Sequence, residues 1–133
     1  MKKKSVLVID DHDGLRKILG RSLSKNYEVT TRANGVSALA WMHQGNIPDL
    51  IVLDMRMPGM SGIDFLSNLR SSGFFRDVAV VIVSADDNPQ LVAQCNDLNI
   101  RQYIGKPFSP IQLHETIDSI LLPNNHTTPS LAE

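Results

Sequence analysis

Short apolar runs alternate with amphipathic stretches along most of the chain. Five runs are short and rich in β-branched or apolar residues, which is typical of β-strands, and the segments after them carry apolar residues three or four positions apart, as helices do. The predicted strands are residues 5–9, 27–31, 50–53, 78–83 and 100–104. Each is followed by a predicted helix, so the pattern is a strand and a helix repeated five times.

Capping residues mark the ends of several predicted helices. Ser61 precedes Asp64 by three residues, which is the spacing of a capping box. Asn88 and Ser109 each precede a proline, and proline is favoured at the first helical position. Asn99 is suited to the left-handed conformation that ends many helices.

The continuous apolar character of the strands indicates the fold class. Strands that are apolar on both faces are buried on both faces, which is typical of a parallel sheet covered by helices. Right-handed crossovers then give a doubly wound α/β sheet of five parallel strands with five helices. In such sheets the functional site lies at the carboxyl ends of the strands.

Polar residues with chemical potential follow the predicted strands. Asp10 and Asp11 follow the first strand, Asp54 the third, Ser84 the fourth and Lys106 the fifth. Three carboxylates at one end of a sheet repel one another, and a single lysine cannot neutralise them all. Mg²⁺ takes oxygen ligands and often completes its shell with phosphate. The sequence therefore predicts a Mg²⁺ site that also holds an anion such as a phosphoryl group.

Composition narrows the class of protein further. The 133 residues suit one domain, and a net charge of −1 gives no basic surface for direct nucleic-acid binding. One cysteine excludes an intrachain disulfide, so we expect a cytoplasmic setting, and no apolar run approaches a membrane span. The acids are 11 Asp and 3 Glu. Three of those aspartates are the predicted strand-end group.

The motifs in this order resemble the receiver domain of two-component response regulators. The resemblance rests on four segments: DD at 10–11, LIVLDMRMPGMSG at 50–62, IVSA at 82–85 and YIGKPF at 103–108. It covers about residues 4–122 and implies a flavodoxin-like strand order of 2-1-3-4-5. We therefore expect a receiver domain over residues 1–122, with 123–133 as a disordered tail or the start of a linker.

The resemblance implies a phosphoacceptor and a metal site. Asp54 matches the residue that takes a phosphoryl group from a phosphohistidine on a histidine kinase or histidine phosphotransferase. Asp11 matches a direct Mg²⁺ ligand, Asp10 a ligand that acts through water, and the backbone carbonyl of Arg56 a further ligand.

The resemblance also implies a switch. Ser84 matches the hydroxyl that bonds a phosphoryl oxygen, Lys106 the lysine that pairs with the phosphoryl group, and Tyr103 the aromatic residue that turns inward. The bond between Lys106 and Pro107 matches one that is commonly cis. The output surface is expected on the fourth helix, fifth strand and fifth helix, toward an unknown downstream target or output domain.

One departure from the family pattern, and one pair of residues at positions that vary in the family, bear on regulation. Residues 99–103 lack the acids that support a dimer contact in many DNA-binding regulators, which leaves open whether phosphorylation drives dimerisation here. Arg56 and Asp86 lie two residues after Asp54 and Ser84, and their opposite charges favour a pair that restricts the attacking water.

Other functions stay open at this point. A Mg²⁺-dependent phosphohydrolase could use a similar sheet, although such enzymes often carry a second carboxylate where this chain has Arg56. A receiver-like docking module that is never phosphorylated usually loses one of the acids or the lysine. A nucleotide or flavin site lacks support because no GxxxxGK[ST] or GxGxxG occurs.

Overall fold

A computed structural model describes residues 3–57, 59–85, 88–100 and 102–122. Within them strands and helices alternate five times, as the apolar pattern predicts. The elements in chain order are β1 Ser5–Ile9, α1 Asp13–Leu23, β2 Glu28–Arg32, α2 Gly35–His43, β3 Leu50–Asp54, α3 Gly62–Ser71, β4 Ala79–Ser84, α4 Pro89–Asp97, β5 Gln102–Gly105 and α5 Pro110–Leu121.

All five strands are parallel and lie in the order β2-β1-β3-β4-β5. This order confirms the predicted doubly wound, flavodoxin-like sheet. β1 pairs with both β2 and β3, so the second strand is added on one side of β1 and the third strand on the other. The carboxyl ends of β1 and β3 are therefore neighbours, and ligand sites of such sheets form there.

Two apolar layers enclose the sheet because successive side chains of a strand point to opposite faces. Leu7 and Ile9 of β1 pack on one face with α2, α3 and α4, whereas Val6 and Val8 pack on the other with α1 and α5. All four side chains are fully buried. The sheet is consequently a rigid support for whatever its strand ends carry.

The predicted caps occur as hydrogen bonds. Ser61 accepts the amide proton of Asp64 at the start of α3, and Asn88 accepts that of Gln90 at the start of α4. Ser109 accepts the amide proton of Ile111, with Pro110 as the first residue of α5. These side chains satisfy amide groups that a helix cannot pair internally.

Four of the five predicted strands have boundaries that were wrong by one or two residues, and hydrogen bonds explain the two starts at Tyr27 and Ile100. Tyr27 does not begin β2, since its N–H donates to the Leu23 carbonyl and closes the turn after α1. Ile100 does not begin β5, since its N–H donates to the Cys95 carbonyl at 2.9 Å. Asn99 adopts the predicted left-handed conformation, with a φ of 66°. Leu98, Asn99 and Ile100 therefore form the cap that ends α4.

Candidate phosphoryl and metal site at the strand ends

The carboxyl ends of four neighbouring strands bring the predicted polar residues to one edge of the sheet. Ile9, the last residue of β1, pairs in register with Leu53, so Asp10 and Asp54 are adjacent across the two strands. Ser84 ends β4 and pairs with Gly105 of β5. The sheet register therefore places side chains from distant parts of the sequence together.

Lys106 joins two of the acids. Its Nζ lies 3.2 Å from Oδ2 of Asp10 and 3.5 Å from Oδ2 of Asp54. Asp10 is 3% exposed and Asp54 5% exposed, and a buried carboxylate needs such a partner. The Lys106 backbone N–H donates to the Ser84 carbonyl at 2.8 Å, and the following bond to Pro107 is cis. Lys106 is thereby fixed both at its backbone and at its charged end.

Three carboxylates form a compact acidic cluster. One oxygen from each of Asp10, Asp11 and Asp54 lies within 4.8 Å of the other two. Burial raises the pKa of Asp54, and the negative charge of Asp10 raises it further. The Arg56 N–H, which donates to Oδ1 of Asp54 at 3.2 Å, and the Lys106 ammonium oppose that rise in pKa. The cluster is thus an acidic site with incomplete neutralisation.

The donor set fits a hard divalent cation. Mg²⁺ is held at about 2.1 Å by octahedral oxygen ligands, so opposite ligands of one ion are about 4.2 Å apart. The carboxylate spacing within 4.8 Å is close to that value. Asp11 is exposed, which leaves the cluster open to solvent, and magnesium retains several waters when bound. Asp10, Asp11 and Asp54 could therefore hold Mg²⁺ with water completing its shell.

The remaining predicted site residues lie in distinct environments. Ser84 is 1% exposed, at the end of β4. Arg56 is exposed in the loop after β3. Tyr103 is half-buried on β5 and packs against the apolar layer that contains α2, α3 and α4. Asp86, the predicted partner of Arg56, lies outside the described residues.

The sequence prediction missed Arg16. Its Nη1 donates to the backbone carbonyl of Asp10 at 2.7 Å, and its Nη2 pairs with Asp13. A signal for it exists in the sequence, because a cation in the first turn of a helix faces the positive end of the helix dipole. An arginine at that position therefore calls for a compensating contact, and here the contact is the backbone beneath the acidic cluster.

Buried Asp10 and Asp54, both paired with Lys106 at the switch point of the sheet, define a class of doubly wound α/β protein with an acidic site at its strand ends. Comparison with known proteins agrees with this class. Residues 6–118 match the family described as response regulator receiver domain. The chain belongs to this family. Receiver domains of this kind are signalling domains of two-component systems.

Individual relatives cover most of the chain. Chemotaxis protein CheY-3 of Vibrio cholerae is 31% identical over 121 residues, which are 90% of this chain and 92% of that protein. The probable transcriptional regulator ycf27 of Cyanophora paradoxa is 36% identical over 120 residues, 90% of this chain but 48% of that longer protein. The crystal structure of CheY4 of Vibrio cholerae has a TM-score of 0.82 at 28% identity, covering 90% of this chain and 99% of that one.

None of the helices that the structure describes is both long and apolar enough to cross a membrane.

Proposed function

We propose that this chain is a phosphoaccepting receiver in which Asp54 takes a phosphoryl group from a phosphohistidine on a histidine kinase or histidine phosphotransferase. A carboxylate oxygen of Asp54 attacks phosphorus, and the P–N bond to the imidazole breaks with its electron pair going to that nitrogen. The other ring nitrogen of the phosphohistidine already carries a proton, so the leaving group is neutral imidazole. The observation that carries this proposal is Asp54 itself, a buried carboxylate held 3.5 Å from Lys106 beside two further acids.

Phosphoryl transfer depends chiefly on position and charge neutralisation. When bound, Mg²⁺ would neutralise charge on the phosphoryl oxygens. Asp10, Asp11, Asp54 and the Arg56 carbonyl are its proposed ligands. This chain contributes the Lys106 ammonium, already within ion-pair distance of Asp54.

The Arg56 N–H orients the nucleophile. It donates to Oδ1 of Asp54, which leaves Oδ2 facing Lys106. Ser84, at the end of the neighbouring strand, is proposed to donate its hydroxyl to a phosphoryl oxygen. These contacts fix the two carboxylate oxygens of Asp54 in different environments.

The proposed output of phosphorylation is a change on the face formed by α4, β5 and α5. Tyr103 lies on β5 three residues before Lys106, and the Lys106 backbone is bonded to Ser84. A displacement of Ser84 or Lys106 is therefore transmitted directly to the strand that carries Tyr103. The downstream target, or an output domain elsewhere in a longer protein, would bind this face. Whether phosphorylation also drives dimerisation stays an open part of the proposal, and the proposed setting is the cytoplasm.

Labelling with a small phosphodonor tests the proposal. Phosphoramidate has a P–N bond like that of phosphohistidine, so incubation with and without Mg²⁺ mimics the partner. Intact-mass analysis should show one added phosphoryl group in the wild type with Mg²⁺ and none in Asp54→Asn. Asp64→Asn, the same change at an exposed helix position, should label as the wild type does.

Two results would contradict this function. Labelling of Asp54→Asn would place the phosphoryl group elsewhere. Steady hydrolysis of a phosphomonoester with Mg²⁺ would indicate the phosphohydrolase instead, because the proposed receiver takes its phosphoryl group from a P–N bond and does not turn over an ester. Size-exclusion chromatography of the labelled and unlabelled protein would show whether phosphorylation also changes the oligomeric state.

A further inference from the structure

The turn between β1 and α1 holds its two acids in different ways. Asp10 is buried, and both of its carboxylate oxygens have partners: Oδ1 accepts the N–H of His12 at 2.9 Å, and Oδ2 accepts from Lys106. Asp11 is exposed, and its side chain has no hydrogen bond or ion pair with any residue that the structure describes. The orientation of Asp11 therefore depends on its backbone.

Arg16 controls that backbone. The oxygen that its Nη1 contacts at 2.7 Å is the carbonyl of Asp10, which belongs to the peptide unit joining Asp10 to Asp11. Because a peptide unit is planar, fixing its oxygen also fixes the direction in which the chain enters Asp11. The N–H of Asp10 is bonded to the Arg32 carbonyl at 3.2 Å, so the peptide on the other side is held as well.

The guanidinium is itself well anchored. Its side chain is only 18% exposed, and its Nη2 pairs with Asp13, one turn earlier on α1. Two separate N–H groups thus bind two acceptors in a fixed fork, which a lysine ammonium does not reproduce. Arg16 is a rigid connection between the first turn of α1 and the peptide beneath the acidic cluster.

We propose that Arg16 is a positioning residue for the metal site: it holds the Asp10–Asp11 peptide so that the Asp11 carboxylate faces Asp10 and Asp54. The inference rests on the proposed function, because it concerns Mg²⁺ at that site. Without Arg16 the peptide can rotate and Asp11 spends less time in the cluster. Residues that orient metal ligands typically change metal affinity by about 10- to 100-fold when they are removed.

Whether Mg²⁺ binding weakens or tightens when Arg16 is removed distinguishes a positioning role of Arg16 from the effect of its charge. Arg16 is a cation next to the acidic cluster, so its charge alone opposes Mg²⁺ binding. If charge were its only role, removing it would tighten Mg²⁺ binding. If it positions Asp11, removing it weakens Mg²⁺ binding despite the lost repulsion.

Titration of the full chain with Mg²⁺ alone, followed by amide chemical shifts, tests the inference. The His12 and Arg56 amides report on the site because they donate to Asp10 and Asp54. Arg16→Met should raise the Mg²⁺ dissociation constant about ten-fold, at the lower end of the usual range for residues that orient ligands. Arg21→Met removes the same group from an exposed position of α1 and should stay within about two-fold of the wild type, since solvent screens that charge.

Arg16→Lys keeps the charge and provides the test if Arg16→Met fails to fold. It should also bind Mg²⁺ more weakly than the wild type, because it loses the fork. Unchanged or tighter binding in Arg16→Met, or wild-type affinity in Arg16→Lys, would overturn the inference and leave the proposed function standing. A wild type that binds no Mg²⁺ would overturn both.

Discussion

Replacing Asp54 with asparagine should stabilise the metal-free protein. The change removes one negative charge from a cluster in which three carboxylates lie within 4.8 Å. It keeps the shape of the side chain, and Asn Oδ1 can still accept the Arg56 N–H that now donates at 3.2 Å. The stability of Asp54→Asn therefore measures how poorly the charge on Asp54 is compensated.

The magnitude follows from the distances. At an effective dielectric constant of about 20, attraction between Asp54 and Lys106 at 3.5 Å is worth about 5 kcal/mol. Each of the other two acids has a carboxylate oxygen within 4.8 Å, and at that outer limit each repulsion is about 3.5 kcal/mol on the same basis. The repulsions exceed the attraction by about 2 kcal/mol, and solvent around the exposed Asp11 reduces that excess. We expect a gain of about 1–2 kcal/mol in Asp54→Asn, before any relief from desolvation.

Urea unfolding at neutral pH with EDTA is the assay. Asp64→Asn is the matched control, since it makes the same change at an exposed first-turn position of α3 and should lose a few tenths of a kcal/mol rather than gain. Adding Mg²⁺ should stabilise the wild type more than Asp54→Asn and narrow the gap, because binding to the folded state adds stability.

The pH dependence has a definite sign. Burial raises the pKa of Asp54, so the folded protein binds that proton more tightly than the unfolded chain does. Protonated Asp54 thus adds stability below the ordinary carboxyl pKa, and this contribution is lost as pH rises through the raised pKa. The advantage of Asp54→Asn should therefore shrink as pH falls. An Asp54→Asn variant no more stable than the wild type in EDTA at neutral pH would refute the charge balance.

Three further changes have expected outcomes that urea unfolding can check. Lys106→Met leaves the buried acids without their cation and should lower the metal-free unfolding free energy by about 3 kcal/mol; an unchanged value would mean that the ion pairs contribute nothing. Gly62→Ala places a Cβ 2.6 Å from the Met55 sulfur and 2.7 Å from the Met55 Cα, and should lower the unfolding free energy by at least about 2 kcal/mol. Gly73→Ala is its control: the space around Gly73 is open, so the same change should lower the unfolding free energy by less than about 0.5 kcal/mol. Arg70→Met removes hydrogen bonds to three backbone carbonyls and should cost about 3 kcal/mol, and a loss below about 1 kcal/mol would contradict this.

The sequence predicted the sheet well because strands that are buried on both faces consist almost entirely of apolar residues. β1, β3 and β4 are almost wholly apolar, as central strands covered on both faces are. This apolar pattern is a weaker guide to where each strand begins and ends. Ile100 is as buried as a strand residue, yet its N–H closes the end of α4. An apolar pattern reports burial, whereas a strand boundary depends on where the backbone N–H groups find partners.

The sequence also predicted which residues come together at the site, but it did not predict the distances between their side chains. Parallel strands end at one edge, so Asp10, Asp54 and Lys106 had to converge. Which acid Lys106 would approach depends on side-chain conformations that spacing does not encode, and the lysine lies slightly nearer to Asp10. The contact of Arg16 was not predicted because its partner is a backbone carbonyl, and every residue has one, so no residue type in the sequence indicates it.

The position of Lys106 explains how phosphorylation of Asp54, if it occurs as proposed, would reach the rest of the fold. In the unphosphorylated protein its ammonium serves Asp10 and Asp54 together. A phosphoryl group on Asp54 adds oxygen acceptors and negative charge farther from the sheet, and one ammonium cannot keep its present distances to both acids while neutralising that charge. Because the Lys106 N–H is bonded to the Ser84 carbonyl at 2.8 Å, any part of this rearrangement that reaches the Lys106 backbone is passed to the ends of β4 and β5. The Lys106 ion pairs that partly neutralise the unphosphorylated site are therefore the contacts that a phosphoryl group would disturb.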